Sequence, residues 1–316
     1  MPYDESVPPT RRRRSLLAAT ALAAVCLTAA GCGAGDDSGG TRAEPGQGGS
    51  GTSAPPPSKS APAPDRTSAS PTASAKPSKP PKPSGSTGVG ATGPLSGKTV
   101  VIDPGHNPNN HLHTGEINRQ VDIGTTHKEC DTTGTSTNSG YAEAQFTLDV
   151  SHRLRTLLQK QGAKVVLTYD NDRAYGPCVD ERARIGNEAR ADAVVSVHAD
   201  GSAVGNRGFH VILPALVRGG KADTSKIVEP SRDLGTRIAG LFVRDTGSAP
   251  SNYVGGNSGL DIRKDLGGLN LSTVPKVFIE CGNMRDPKDA ALLTSAGWRQ
   301  KAAQGIADGI SSYLEG

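Results

Sequence analysis

The feature that most constrains the fold is an apolar run at residues 99–106, which ends in Asp103, Pro104, Gly105 and His106. Four consecutive β-branched or apolar residues are typical of a strand covered on both faces, as in a parallel sheet. Proline and glycine then end the strand. We therefore predict that His106 lies in a tight turn at the carboxyl end of a buried strand, where open α/β sheets bind ligands.

Two later stretches have the same design. Residues 194–197 are apolar apart from one serine and lead into His198, and residues 276–279 lead into Glu280. The carboxyl ends of parallel strands meet at one edge of a sheet. We expect His106, His198 and Glu280 to meet there.

Strand and helix patterns alternate through the rest of this region. An amphipathic pattern runs from Ala142 to Gly162 and predicts a helix with Glu143 in its first turn. Further strands are predicted at 164–168, 193–197 and 208–213, and further helices at 180–190, 231–244, 286–293 and 298–314. The alternation predicts an α/β fold with an open, mainly parallel sheet and helices on both faces. The polar segment 107–140 lacks apolar periodicity and is predicted to be a long loop or a hairpin that forms one wall of a cleft.

The N-terminal residues 1–32 are predicted to be an export signal. Arg11 to Arg14 form a positive region, residues 16–30 are apolar, and small residues precede Cys32. The apolar stretch is short for a membrane-spanning helix. Residues 27–32 also resemble a bacterial lipobox, with Ala29 where leucine is usual, which implies lipidation of Cys32. Ordinary cleavage without lipidation is the alternative.

Composition divides the remainder into a linker and one domain. Residues 33–95 are rich in Gly and Ser and then in Pro, which predicts a disordered, extended spacer. Residues 96–316 are predicted to form a single catalytic domain. This domain contains 25 Lys and Arg and 25 Asp and Glu, so the net charge of +4 belongs to the N-terminal part. Such a balance gives no electrostatic indication of a nucleic-acid partner.

Each candidate site residue is weak evidence for a functional site by itself, but the residue types together match a known kind of metal site. A single histidine at a strand end is usually an ordinary polar residue, and an acid such as Glu143 is favoured in a first helical turn by the helix dipole. Two histidines and one carboxylate, however, are a ligand set of catalytic zinc sites. His106, His198 and Glu143 fit that set, and Glu280 supplies a second carboxylate.

These residues carry a family resemblance. Val-Ile-Asp-Pro-Gly-His ending at His106, Tyr-Ala-Glu ending at Glu143, Ser-Val-His at His198 and Val-Phe-Ile-Glu at Glu280 look like the zinc-dependent N-acetylmuramoyl-L-alanine amidases of bacterial cell walls, in particular the exported actinobacterial type. The resemblance covers residues 96–316. It implies that His106, Glu143 and His198 bind Zn²⁺, and that Glu280 is catalytic. The implied substrate is peptidoglycan, cleaved between N-acetylmuramic acid and L-alanine of the stem peptide.

The residue types agree with such chemistry. Hydrolysis of an unactivated amide needs a strong nucleophile and a polarised carbonyl, which zinc can provide, together with a carboxylate that moves protons. No Ser or Cys lies in a recognisable nucleophile turn. Two alternatives stay open: a non-catalytic, lipid-anchored protein that binds a metal or solute, and a zinc carboxypeptidase acting on the stem peptide. Glu280 discriminates, because a binding protein needs no unligated carboxylate at the metal.

The cysteines fit an oxidising, extracytoplasmic location. Cys130 lies in the 107–140 segment and Cys178 in a turn before a predicted helix, and we predict a disulfide between them. Two free thiols are the alternative. Cys281, next to Glu280, is expected to be a buried thiol on the opposite side of its strand. We expect a monomer that is lipid-anchored to the cell membrane or secreted.

Overall fold

The structure is a computed structural model and describes residues 92–316. Its strands are β1 Thr99–Pro104, β2 Gln120–Asp122, β3 His127–Glu129, β4 Lys164–Leu167, β5 Ala193–Asp200, β6 His210–Pro214, β7 Arg218–Gly219, β8 Ala222–Asp223, β9 Leu260–Arg263 and β10 Lys276–Asn283. Its α-helices are α1 Thr114–Ile117, α2 Glu143–Lys160, α3 Val179–Glu188, α4 Val228–Thr246, α5 Gly267–Asn270, α6 Pro287–Leu293 and α7 Ala296–Glu315.

Six strands form the main sheet, in the order β4-β1-β5-β10-β6-β9. All neighbouring pairs are parallel except β10 and β6. The prediction of an open, mainly parallel α/β sheet is confirmed. The order places β1, β5 and β10 side by side in the centre, so His106, His198 and Glu280 come from neighbouring strands. His106 follows the end of β1, but β5 and β10 continue past His198 and Glu280, to Asp200 and Asn283, so these two residues do not end their strands as predicted.

The larger core covers one face of the sheet. Val100 and Ile102 of β1 and Val195 and Val197 of β5 face this core. Helix α2 packs on β1 and β5, α4 packs on β6 and β10, and α7 packs on α2 and α4. Helix α2 contributes residues spaced by four: Phe146, Val150, Leu154 and Leu158. Burial of each such side chain contributes about 1.5–3 kcal/mol. This packing fixes the first turn of α2, which carries Glu143, against the sheet.

The opposite face carries a smaller core. Val101 and Val194 alternate with the residues above and point to this side, where they pack against Ala191 and the partly buried Ile185 of α3. Helices therefore cover both faces, as predicted. Because both faces are covered, the carboxyl edge is where the central strands open into a site.

The 107–140 segment has more structure than a simple loop. It contains a 3₁₀ turn at Asn110–Leu112, helix α1 and the antiparallel hairpin of β2 and β3. The predicted disulfide between Cys130 and Cys178 is present and links this segment to the start of α3. Cys281 is buried and unpaired, as predicted. Strand β9 and helix α5 were not predicted, because these four-residue segments lack the run of apolar residues that identified the equally short β4.

The chain enters this domain slightly earlier than the predicted boundary at residue 96. Leu95 is fully buried in the larger core, and its N–H donates to Gln161 O at 2.9 Å. Within residues 92–316, no helix has the length and apolar character needed to cross a bilayer. The predicted export signal, the lipobox at Cys32 and nearly all of the predicted linker lie outside the described residues.

Candidate metal centre

The turn after β1 places His106 at the edge of the sheet. Gly105 extends the strand by one hydrogen bond, from its N–H to Val197 O at 3.0 Å. A Cβ atom at residue 105 would lie 2.3 Å from the ring of His198, so only glycine fits between the two histidines. His106 then adopts a positive φ of 60°, which turns its ring back over the strand ends. The Pro-Gly-His sequence thus builds the site locally.

Glu143 is the first residue of α2, and its carboxylate lies between the two histidines. Its Oε2 atom is 3.2 Å from His106 Nε2, and its Oε1 atom is 3.0 Å from His198 Nδ1. Two backbone N–H groups also donate to it, from Thr135 at 2.9 Å and Ala199 at 3.2 Å. These contacts fix the orientation of both carboxylate oxygens of the buried Glu143 side chain.

His198 lies in β5 and packs between aromatic and imidazole rings. Phe278 stacks on it with ring centroids 5.3 Å apart and an interplanar angle of 19°. The ring of His106 meets it edge-on at 5.0 Å. These contacts hold the two imidazoles roughly perpendicular to each other, with both facing Glu143.

Together these three residues form a compact donor set. One ligand atom from each of His106, Glu143 and His198 lies within 4.8 Å of the others, and in residues 92–316 this is the one such group of three. Two imidazole nitrogens and one carboxylate oxygen fit a catalytic zinc site that keeps a position for water. Two histidines of the 107–140 segment do not belong to this group: the Nδ1 atom of His111 faces Pro108 O, and His113 pairs with Glu116.

The charged groups of this site shift one another's pKa values. Burial opposes ionisation of Glu143, but the neighbouring His106 and His198 lower the pKa of its carboxyl far below the ordinary value. Burial likewise disfavours the charged form of His106, yet Glu143 and Asp131 raise the pKa of its imidazole well above 6.5. An ionised carboxylate between two imidazoles attracts positive charge, as a ligand of a metal cation does.

Glu280 lies beside this group without joining it. It pairs in register with His198 across β10 and β5. Its Oε2 atom is buried and has no hydrogen-bond partner among the described residues. Burial, followed by the nearby charges of Glu143 and Asp200, raises the pKa of its carboxyl well above the ordinary value. An unpaired buried carboxylate costs free energy, so its position needs a functional explanation.

Within residues 92–316, no arginine forms an ion pair with Glu280. Arg263 instead pairs with Asp265 at 2.6 Å, and Arg285 donates to Ser136 O at 3.3 Å. The carboxylate faces an open cleft of about 270 Å³ that His106, Glu143 and His198 also line. Ligand set and unpaired acid therefore share one cleft.

The family profile of N-acetylmuramoyl-L-alanine amidases matches residues 100–312 of this chain. The chain belongs to this family. The matched range contains His106, Glu143, His198 and Glu280 and almost all of the described domain. The prediction of an N-acetylmuramoyl-L-alanine amidase is therefore confirmed.

Individual relatives agree with the family. The N-acetylmuramoyl-L-alanine amidase Rv3717 of Mycobacterium tuberculosis is 42% identical over 226 residues, which are 70% of this chain and 88% of that protein. The structure of the amidase Ami1 from Mycobacterium smegmatis matches with a TM-score of 0.64 and 39% identity, over 70% of this chain and 98% of that one. Ami1 from Mycobacterium abscessus matches with a TM-score of 0.61 and 39% identity, over 69% and 99%.

A buried network of charges beneath the amidase site was missed by sequence reasoning. Asp103 accepts hydrogen bonds from Arg182 at 2.8 Å and from Lys276 at 3.1 Å. Thr168 and Ser196 donate to the same carboxylate at 2.7 and 2.8 Å. Asp103 and Lys276 are unusual because each is a charged residue in an otherwise apolar strand. The sequence does not show, however, which residue either of them pairs with. Burial disfavours the ionised form, yet Lys276 and Arg182 hold the pKa of Asp103 far below its ordinary value.

A second cavity adjoins the amidase site. It has a volume of about 240 Å³ and shares His106, His198 and Phe278 with the open cleft. Lys128 of β3 lines this cavity, and its ammonium group forms an ion pair with the carboxylate of Asp265 at 3.2 Å. The hairpin of the 107–140 segment therefore lines this second cavity, which agrees with the predicted role of the segment as a wall of a cleft.

Proposed function

We propose that this amidase cleaves the bond between the lactyl group of N-acetylmuramic acid and L-alanine by zinc-assisted hydrolysis. In this proposal His106, Glu143 and His198 hold one Zn²⁺, and Glu280 transfers protons. The observation that carries the proposal is the buried, unpaired Oε2 atom of Glu280 beside a compact group of two histidines and one carboxylate.

The three ligands would be oriented before the substrate arrives. Glu143 is fixed by two backbone N–H groups, and His198 is fixed by the ring of Phe278. Zinc bound there would supply positive charge that acidifies a water molecule and polarises the substrate carbonyl. Pre-oriented ligands reduce the reorganisation that the reaction requires.

Glu280 is suited to the proton transfers. Its Oε2 atom has no hydrogen-bond partner within residues 92–316 that would compete for a proton, and burial raises its pKa, which makes the ionised carboxylate a stronger proton acceptor. We propose that Glu280 Oε2 accepts a proton from the attacking water and then donates it to the nitrogen of the leaving L-alanine. The C–N bond of the amide breaks, and a lactyl carboxylate and a free peptide amine result.

The test is Glu280→Gln in the full chain. The amide keeps the shape and size of the side chain but removes its proton-accepting oxygen. General acid and base groups contribute about a hundred- to ten-thousand-fold in rate, or about 2.7–5.4 kcal/mol of activation barrier. We expect a loss of that size in muramoyl-alanine cleavage, measured by mass spectrometry of digested muropeptides, with one zinc per chain retained.

Glu188→Gln is the matched control, because Glu188 lies on α3 and pairs with Arg184 at the surface, away from the cleft. It should leave turnover unchanged. Unchanged turnover in Glu280→Gln would contradict the proton-transfer role, whereas a wild-type protein that binds peptidoglycan without cleaving it would favour a binding protein instead. Products cut within the stem peptide, with muramoyl-alanine intact, would indicate a carboxypeptidase. Family membership favours neither alternative.

We further propose that residues 1–32 direct export, that lipidation of Cys32 anchors the enzyme to the membrane, and that residues 33–95 are a spacer for a monomeric catalytic domain 96–316. The composition of these segments and the cell-wall substrate of the family support this arrangement. Cys32→Ala should move the enzyme from the detergent phase to the aqueous phase in cell fractionation. Equal partitioning of both forms would argue for ordinary secretion.

A further inference from the structure

The two nitrogens of His106 have different surroundings. Nε2 faces the carboxylate of Glu143, as described above. Nδ1 faces the corner formed by Asp131 and Thr132, with Thr132 O at 3.1 Å, Thr132 Oγ1 at 3.2 Å and Asp131 Oδ1 at 3.4 Å. An Nδ1–H that donates to this corner leaves the lone pair of Nε2 directed at the metal position.

The carboxylate of Asp131 is itself firmly held. Thr132 N–H donates to its Oδ1 atom at 2.8 Å, and Arg182 Nη2 donates to its Oδ2 atom at 3.0 Å. Arg182 also donates from Nη2 to His106 O at 3.0 Å, so one guanidinium fixes both the histidine backbone and the acid facing its ring. The side chains of Arg182 and Asp131 are both buried. A displacement of Asp131 would therefore be transmitted to His106.

The disulfide bond links the two chain segments that carry Asp131 and Arg182. Cys130 directly precedes Asp131, and Cys178 lies one helical turn before Arg182, whose N–H donates to Cys178 O at 2.9 Å. The N–H of Val179 also donates to Cys130 O at 2.7 Å. The covalent link thus joins the two segments that supply the carboxylate and the guanidinium.

We propose that Asp131 is a positioning residue for His106, and that the Cys130–Cys178 disulfide and Arg182 hold it in place and thereby set the zinc affinity. This inference rests on the proposed zinc site. A metal-ligating histidine usually donates its second ring N–H to a carboxylate or carbonyl, and loss of that partner typically weakens metal binding about 10- to 100-fold. The disulfide accordingly has a role at the site in addition to its effect on stability.

The first test measures the zinc dissociation constant of the full chain by competition with a chromophoric chelator. Asp131→Asn keeps the size of the side chain and leaves the disulfide intact. We expect its zinc affinity to fall about 10- to 100-fold. Asp265→Asn is the matched control, because it makes the same change in the adjacent cavity at a residue that pairs with Lys128 and Arg263. Its zinc affinity should equal that of the wild type.

The second test measures coupling to the disulfide. If the disulfide acts through Asp131, then Asp131→Asn should weaken zinc binding much less in a Cys130→Ser, Cys178→Ser background than in the oxidised protein, because the carboxylate is already displaced there. Imidazole ¹⁵N and ¹H spectra of the zinc-loaded protein provide a readout that a stability effect alone would not move. The Nδ1–H proton of His106 should exchange with water faster in Asp131→Asn than in the wild type.

The outcomes separate the two proposals. A wild-type protein that binds no zinc at His106 would overturn the metal site and the positioning role together. Wild-type zinc binding that Asp131→Asn leaves unchanged, in a folded protein, would overturn the positioning role alone. Equal effects of Asp131→Asn with and without the disulfide would contradict the part assigned to the disulfide.

Discussion

Replacement of Asp103 by asparagine tests the buried charge network most directly. The carboxylate is 1% exposed and accepts hydrogen bonds from Arg182, Lys276, Thr168 and Ser196. Lys276 is also 1% exposed, and among the described residues its ammonium forms an ion pair with Asp103 alone. Asp103→Asn therefore leaves a buried ammonium without a compensating charge.

The expected destabilisation follows from that geometry. Removal of one partner of a buried ion pair costs about 3–5 kcal/mol in the free energy of unfolding, because the remaining charge is uncompensated. For a domain of this size, 1 kcal/mol lowers the unfolding midpoint by about 2–4 °C. We therefore expect Asp103→Asn to unfold about 6–20 °C below the wild type. Thermal unfolding of the full chain, followed by circular dichroism, measures this difference.

Lys276→Met is the informative comparison. Methionine fills a similar volume, and Asp103 keeps Arg182, Thr168 and Ser196 as partners, so we expect a loss of less than about 2 kcal/mol. An equal or larger loss in Lys276→Met would refute the argument from an uncompensated ammonium. A loss below about 1 kcal/mol in Asp103→Asn would also refute it.

The same network predicts a pH dependence. Burial disfavours ionisation of Asp103, but Lys276 and Arg182 hold its pKa far below the ordinary value. The stabilisation is therefore complete above the unfolded pKa of about 4, and it decreases as the pH falls further towards the folded pKa. Between pH 5 and pH 3 the wild type should lose more stability than Asp103→Asn. Parallel losses in the two proteins would assign the acid sensitivity to other carboxyl groups.

Three further predictions concern the site and its supports. His106→Ala or His198→Ala should lower zinc content and amidase activity together, measured by elemental analysis and muropeptide digestion; full activity after chelation would contradict this. Loss of the Cys130–Cys178 bond, with a sequence separation of 48, should destabilise the domain by about 4 kcal/mol in the chain-entropy model, and a denaturant midpoint unaffected by reductant would argue otherwise. Gly105→Ala should abolish zinc binding, because its Cβ would lie 2.3 Å from the His198 ring; wild-type zinc content would disprove this.

Local patterns in the sequence were sufficient for the main elements of the fold. The apolar runs before His106, His198 and Glu280 identified β1, β5 and β10, and the four-residue spacing in α2 identified the helix that carries Glu143. These patterns are reliable because a covered strand has consecutive apolar residues and an amphipathic helix has an apolar residue at every third or fourth position. Convergence of the three strand ends followed from parallel topology, so the ligand set could be proposed before the structure.

The charged groups that support the site depended on the tertiary structure. Arg182 lies 51 residues from Asp131 and 79 residues from Asp103 in the chain, and Lys276 lies 173 residues from Asp103. Each is an ordinary charged residue in its own segment, and only the packing of α3 and β10 around β1 brings them together. The sequence thus determined the fold and brought the candidate site residues to one edge of the sheet, because burial leaves a local periodic pattern. The tertiary structure decided which buried charges pair, because pairing between residues so far apart leaves no local pattern in the sequence.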